Sequence, residues 1–168
     1  VCHLPSRFNG SYYREVGATQ IKAIKDSLLK ANPNEKVMVM GDMNDDPNNA
    51  SMHECLKGKE DIAMVGDDDM YNPWYNLLVK RGMGTLYYQG SWNLFDQILL
   101  SPSLIDKSGK KDYSTLKYWK QEIQRMPYLF QTEGKYKGSP KRTTAGGVWL
   151  DGFSDHLPVC VYLVKEQK

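Results

Sequence analysis

The sequence predicts one α/β layered domain, and three observations carry that prediction. Apolar residues recur at helical spacing over residues 12–31, short apolar runs bounded by turn residues follow, and polar side chains gather where those runs end. In the helical stretch Val16, Ala18, Ile21, Ala23, Ile24, Leu28 and Leu29 are separated by polar residues. Asn32-Pro33-Asn34 ends it, because proline disfavours helical geometry in the residue before it.

The run over residues 36–40 is continuously apolar after its lysine and is followed by Gly41, the pattern of a strand buried on both faces. It delivers Asp42 and Asn44 to a loop held by the sheet. Asn48-Asn49-Ala50-Ser51 then offers a cap for a short helix over residues 52–56. Asp67-Asp68-Asp69 reads as a solvated loop, since the triplet lacks the spacing of an EF-hand calcium site. Residues 85–88 read as a strand that turns at Gln89-Gly90, with residues 94–100 as its hairpin partner across a longer connection. Residues 107–111 form a basic turn, residues 113–142 lack periodicity and read mostly as loop, and residues 157–164 read as a last strand.

Composition excludes more than it selects. At 168 residues the chain buries the core of one domain, and no apolar run approaches the roughly 18 residues that cross a bilayer. A net charge of +2 lacks the concentrated positive field of a dedicated nucleic-acid binder. Cys2, Cys55 and Cys160 stand far apart, without the spacing of a zinc site. The chain opens on Val1-Cys2-His3-Leu4-Pro5, which reads as a strand already under way, so either a further segment upstream of it or processing of a longer precursor is expected.

Chemistry concentrates in four places. Gly41-Asp42-Met43-Asn44 sets a carboxylate and a carboxamide two residues apart at a strand end. There Asp can orient or deprotonate a water, and Asn can donate to a phosphoryl oxygen. The same spacing suits an Asx turn that merely closes the strand. Asp96 lies in an apolar run, so it needs either an exposed strand face or a partner. Histidine is the economical partner, because Asp fixes the tautomer of an imidazole and stabilises its charged form. Ser154-Asp155-His156 joins a candidate metal ligand to an imidazole, and the absence of a GxSxG elbow argues against a serine-hydrolase triad. His3 and Arg7 can bind an anion together, Arg through its planar fork and His through one donor. His53 falls in the short helix and reads as a surface or half-buried residue.

Taken in order, His3 at a strand end, Gly41-Asp42-Met43-Asn44, Asp96-Gln97-Ile98 and Ser154-Asp155-His156-Leu157-Pro158-Val159 resemble the second half of the endonuclease/exonuclease/phosphatase family. His3-Leu4-Pro5-Ser6-Arg7, Gly84-Thr85-Leu86-Tyr87 and Lys141-Arg142-Thr143-Thr144 are similar to segments of uncharacterised bacterial members that lean toward export. Cys2 departs from the pattern, since relatives often carry Asn before the histidine.

The resemblance implies the C-terminal half of a DNase I-like α/β sandwich: a mixed, mainly antiparallel sheet with helices on one face and the site at one edge. It implies hydrolysis of a phosphoester, of phosphodiesterase or nuclease type, by water activated with magnesium or manganese, calcium also being compatible. Carried over, Asp42 activates the water, Asn44 holds the phosphate and Asp155 helps place the metal. His156 contacts the phosphate with Asp96 behind it, and His3 is a second phosphate or leaving-group contact. The implied metal ligands are Asp42, Asn44 and Asp155, and the implied phosphate contacts are Arg7, Asn44 and His156. The family's first half supplies an Asn and a metal-binding Glu that nothing in this chain matches. Alone, the chain is therefore expected to bind metal poorly, to show little activity and to expose a sheet face. The competing functions are a phosphatase acting on a phospholipid or small phosphoester and a non-catalytic interaction domain; among diesters, nucleic acid is a candidate partner.

Overall fold

The apolar periodicities become two helices and a central mixed sheet in the computed structural model, which describes residues 1–167. In chain order the elements are β1 (Cys2–His3), α1 (Ser11–Ala31), β2 (Met38–Asp42), β3 (Gly58–Lys59), β4 (Met70–Tyr71) and α2 (Tyr75–Arg81). They continue with β5 (Leu86–Tyr88), β6 (Ser91–Asn93), β7 (Asp96–Leu100), β8 (Lys117–Ile123), β9 (Thr144–Ala145), β10 (Val148–Trp149) and β11 (Val159–Val164). The five-stranded sheet has the order β1-β2-β7-β4-β3. β1 runs parallel to β2 and β3 to β4, while β7 is antiparallel to both β2 and β4. β8 pairs antiparallel with β11, β5 with β6, and β9 with β10.

Alternation along the strands sorts the core into layers. Val39 and Leu99 point to one face, where they meet Ala18 of α1 and Met52 and Leu56 of the following turn. Ile98 and Leu100 point to the other face and join clusters with Tyr118, Ile123, Val161 and Leu163 of the β8/β11 pair. Helix, sheet and second sheet thus stack in the mixed α/β arrangement that the sequence predicts. α1 has the length expected of it, and Asn32 ends it, its backbone N–H donating to the Leu28 carbonyl.

Several local readings are corrected. β2 spans Met38–Asp42, and it is not closed on both faces, because Val39 is buried while Met38 is exposed. Residues 52–56 do not form an ordinary short helix: Ser51–Cys55 is a single π-helical turn with no side-chain cap. The partner of β5 is β6, joined by a two-residue turn in which Gln89 (φ 49°) and Gly90 (φ 85°) take the left-handed conformation tight hairpins require. β7 instead enters the central sheet. Residues 113–142 are not all loop, since β8 contributes seven of them to a strand.

The buried side of α1 also differs from its apolar pattern. Arg14, Ala18 and Lys25 are buried, whereas Val16, Ile24 and Leu28 are exposed. Charges are tolerated inside because each finds a partner. Arg14 Nε lies 2.9 Å from Asp45 Oδ2, and Lys25 Nζ donates to the Asp68 carbonyl at 2.5 Å and faces Asp26 at 2.6 Å. The acidic loop around Asp68 is therefore tied to the helix through its backbone.

Candidate active site

Three adjacent strands bring polar residues distant in sequence to one level. His3 is the register partner of Asp42 across β1/β2, and Asp42 is the partner of Asp96 across β2/β7. Directly paired residues of neighbouring strands present their side chains on the same face, so these three stand in line. A fourth joins from the segment before β11. His156 forms a β-bridge with Leu86, and its Nδ1 lies 2.7 Å from Asp96 Oδ2. At the opposite end His3 Nε2 lies 3.5 Å from Asp42 Oδ2. Two carboxylates facing each other across a ladder repel. Here each has an imidazole beside it, which makes the row His3, Asp42, Asp96, His156 tenable.

Gly41 makes the row geometrically possible. Its φ of 141° lies outside what L side chains adopt, and a Cβ added there would sit 1.8 Å from the Cys2 carbonyl oxygen. Only glycine lets β1 lie this close to β2, and so only glycine lets His3 draw level with Asp42. His156 is positioned by backbone as well. Leu157 donates its N–H to the Thr85 carbonyl at 2.9 Å, and His156 N–H donates to Ser154 Oγ at 3.1 Å.

An ionised Asp96 can only accept, so Nδ1 of His156 carries a proton and Nε2 is left to gain or lose the second. Burial works to lower the pKa of His156, but the hydrogen bond and charge of Asp96, together with Asp42 and Asp155, outweigh it and raise the value above the ordinary 6.5. Asp96 is the carboxylate in contact with the ring, and Asp42 and Asp155 add to its effect from farther off.

Behind the row, the loop after β2 is braced. Asp42 Oδ1 accepts from the Asn44 N–H at 2.8 Å, which closes an Asx turn with Asn44 at φ 49°. Asn44 is buried, and its Nδ2 donates to the Leu4 carbonyl at 2.9 Å. Arg7 is committed to the same loop. Its Nε donates to the Asn44 carbonyl at 3.2 Å, Nη1 to Asn93 Oδ1 at 3.1 Å, and Nη2 to Asp46 Oδ2 at 2.9 Å and Asn49 Oδ1 at 2.8 Å. The guanidinium expected to grip a phosphate instead knits the loop together.

A deeper network supports that loop. Asp45, paired with Arg14, also accepts from Ser51 Oγ at 2.6 Å, and its carbonyl accepts from Gln97 Nε2 at 2.8 Å. Asp46 Oδ1 accepts from the Leu94 N–H at 2.7 Å. Sequence reasoning passed over Arg14, Asp45, Asp46 and Gln97. The available signal was the run Asp45-Asp46-Pro47-Asn48-Asn49, which holds more acceptors than a turn needs.

Asp155 stands apart from the row. Its Oδ2 accepts from Arg142 Nη2 at 3.0 Å in a largely solvated ion pair. This bears on the metal implied by the resemblance. Oxygen donors suit magnesium or manganese. Yet Asn44 engages Nδ2 with the Leu4 carbonyl and Asp42 engages Oδ1 in the Asx turn, so a metal would have to be met by Asn44 Oδ1 and Asp42 Oδ2, while Asp155 is paired with Arg142. Among the described residues no group of three or more His, Cys, Asp or Glu is placed to hold a metal ion. The residues present do not by themselves fit the ion.

A model of the endonuclease/exonuclease/phosphatase family matches residues 1–165. The chain belongs to the endonuclease/exonuclease/phosphatase family. No curated protein and no solved structure matches it. Membership places the chain within a superfamily of phosphoesterase and nuclease-type hydrolases. A hollow of about 530 Å³ is lined by Tyr87, Tyr88, Tyr136, Arg142 and Asp155 among others, and none of the four residues of the row lines it. Among the described residues no helix is long and apolar enough to cross a membrane.

Proposed function

We propose that this chain forms the phosphate-handling side of a phosphoester hydrolase of phosphodiesterase or nuclease type. The observation that carries the reading is the in-register row His3, Asp42, Asp96, His156, which lines up two acid–imidazole pairs on one sheet face. Protonated His156, oriented by Asp96, donates from Nε2 to a phosphoryl oxygen and stabilises charge as it builds there. Asp42 orients the attacking water and accepts its proton. The new P–O bond forms from that water, the ester P–O bond breaks on the opposite side of the phosphorus, the leaving oxygen takes its proton from solvent, and His3, beside Asp42, is a second phosphate contact. Asn44 and Arg7 act as positioning residues that hold Asp42 in place. Divalent-metal dependence belongs to the reading through the family, with ligands beyond Asp42, Asn44 and Asp155 required from an upstream half that we propose as the rest of this domain.

Turnover of bis-p-nitrophenyl phosphate with magnesium tests the proposal. Residues 1–168 alone should show little turnover, and a form extended through the upstream half should show it robustly. His156→Ala should lower the extended form's rate by roughly 100-fold or more, the scale of positioned acid–base and electrostatic groups. Unchanged turnover in that variant would remove His156 from the mechanism, and robust magnesium-dependent turnover by residues 1–168 would refute the half-site.

A further inference from the structure

We infer that Asn9 is a site of spontaneous chemical modification, converting through a succinimide to isoaspartate and aspartate, and that the buried Arg14 promotes the conversion. Asn9-Gly10 is the only Asn-Gly pair in the chain. Glycine lacks the Cβ that would crowd its own nitrogen, so this pair gives a backbone nitrogen the freest approach to the preceding carboxamide carbon. The fold leaves both reactants available. Asn9 is exposed in the bend between β1 and α1, and among the described residues no hydrogen bond holds its carboxamide or the Gly10 N–H. Other carboxamides are held. Asn44 donates to the Leu4 carbonyl, Asn49 and Asn93 accept from Arg7, and Asn72 donates to Gln97.

Arg14 supplies the activation. Its Nη1 donates to the Asn9 and Ser6 carbonyls, each at 3.1 Å, and to the Pro5 carbonyl at 3.4 Å. The Asn9 carbonyl and the Gly10 nitrogen belong to one peptide unit. Charge released when that nitrogen loses its proton therefore spreads onto an oxygen already facing a cation. Water is the one reagent consumed. The deprotonated Gly10 nitrogen bonds to Cγ of Asn9, the Cγ–Nδ2 bond breaks, and the amide nitrogen takes up the proton and leaves as ammonia. Water then opens the ring. Attack at Cγ breaks its bond to the Gly10 nitrogen and gives aspartate. Attack at the main-chain carbonyl carbon breaks the original peptide bond and gives isoaspartate, in which the chain runs through Cβ and Cγ. The second attack places its oxyanion on the oxygen that Arg14 holds, which favours isoaspartate. That product lengthens the main chain by one carbon just before α1 and sets a new carboxylate beside Arg14, in competition with Asp45.

Incubation of the intact chain in mildly alkaline buffer, followed by peptide mapping that separates isoaspartate from aspartate, tests the inference. Asn9 should convert before any other asparagine. Isoaspartate should form a larger share of the product in the folded chain than in a synthetic peptide of residues 6–14, where nothing holds Arg14 against the carbonyl. Gly10→Ala probes the chemistry without disturbing the fold, because φ there is −55° and a Cβ meets no atom within 4 Å. It should slow conversion by at least about tenfold, or about 1.4 kcal/mol in barrier. The isoaspartate-rich fraction, separated by the charge it gains, should unfold at a lower urea concentration than Asn9→Asp, which keeps the ordinary main chain. An intact Asn9 after other asparagines have converted, an isoaspartate share no larger than the peptide's, an equal rate in Gly10→Ala, or equal unfolding midpoints would overturn it.

Discussion

The two sides of the site are built to different tolerances. On one side His3, Asp42 and Asp96 are placed by strand register, with Gly41 setting the separation of β1 from β2 and a buried network behind them. On the other side Asp155 is held by Arg142 in an ion pair whose partners are 49% and 43% exposed, next to a hairpin that leaves Val148 and Trp149 in solvent. Backbone pairing fixes a group to within a fraction of an ångström, whereas a solvated side-chain contact competes with water. The row residues His3, Asp42 and Asp96 thus sit on the rigid side, and the solvated Asp155–Arg142 pair on the adaptable one.

Substitutions should separate the two sides in magnitude. Asp45→Ala should have the largest effect, since it leaves buried Arg14 without its carboxylate; we expect a loss of about 3–5 kcal/mol in urea unfolding. A loss under about 1 kcal/mol would mean the loop does not depend on that pair. Gly41→Ala should follow at roughly 2–4 kcal/mol, through a disallowed φ and a forced separation of β1. Hydrogen exchange at the β1 amides should rise with it, and unaltered protection there would contradict the close-approach argument.

Asp96→Asn should cost about 1.5 kcal/mol, the scale of a hydrogen bond to a charged group, and should lower the pKa of His156 in an NMR titration. The sign follows from linkage. With the folded-state pKa raised, His156 contributes stability that is fully present below about pH 6.5 and lost as pH rises through the raised value. In the variant that pH dependence should flatten, and an unchanged His156 titration would show that Asp96 does not hold the proton. Arg142→Ala should be the smallest, within about 0.5 kcal/mol, because exposed pairs contribute little. A large loss there would erase the contrast between the sides.

The row was legible because Asp42 stands where an apolar run stops and Asp96 interrupts another, and the histidine partner called for by Asp96 is His156. Two things hid the rest. Arg7 and Asn44 look like phosphate ligands in sequence because donors are donors regardless of direction, and only the fold reveals that theirs turn inward. β8 was hidden by a bulge. Leu163 pairs with Tyr118 and Tyr162 with Lys120, so Trp119 is skipped and the alternation of inward residues resets in mid-strand. Ile123 and Gln121 face inward on one count, Tyr118 on the other, and no period-two pattern survives across the seven residues. The hairpin was misassigned for a related reason, because Leu94 and Phe95 extend the apolar run of β7 backward while their backbones bond to the loop after β2.

The pairing of β11 has a practical consequence for handling the protein. Among the described residues β11 is hydrogen-bonded on one side only, to β8, and its six residues carry no charge, whereas β8 carries Lys117, Lys120 and Glu122. Charged residues protect an open strand edge from adding further strands, and β11 has none. Self-association through that edge is therefore the expected behaviour of this chain at high concentration, and sedimentation velocity across a concentration series would show it.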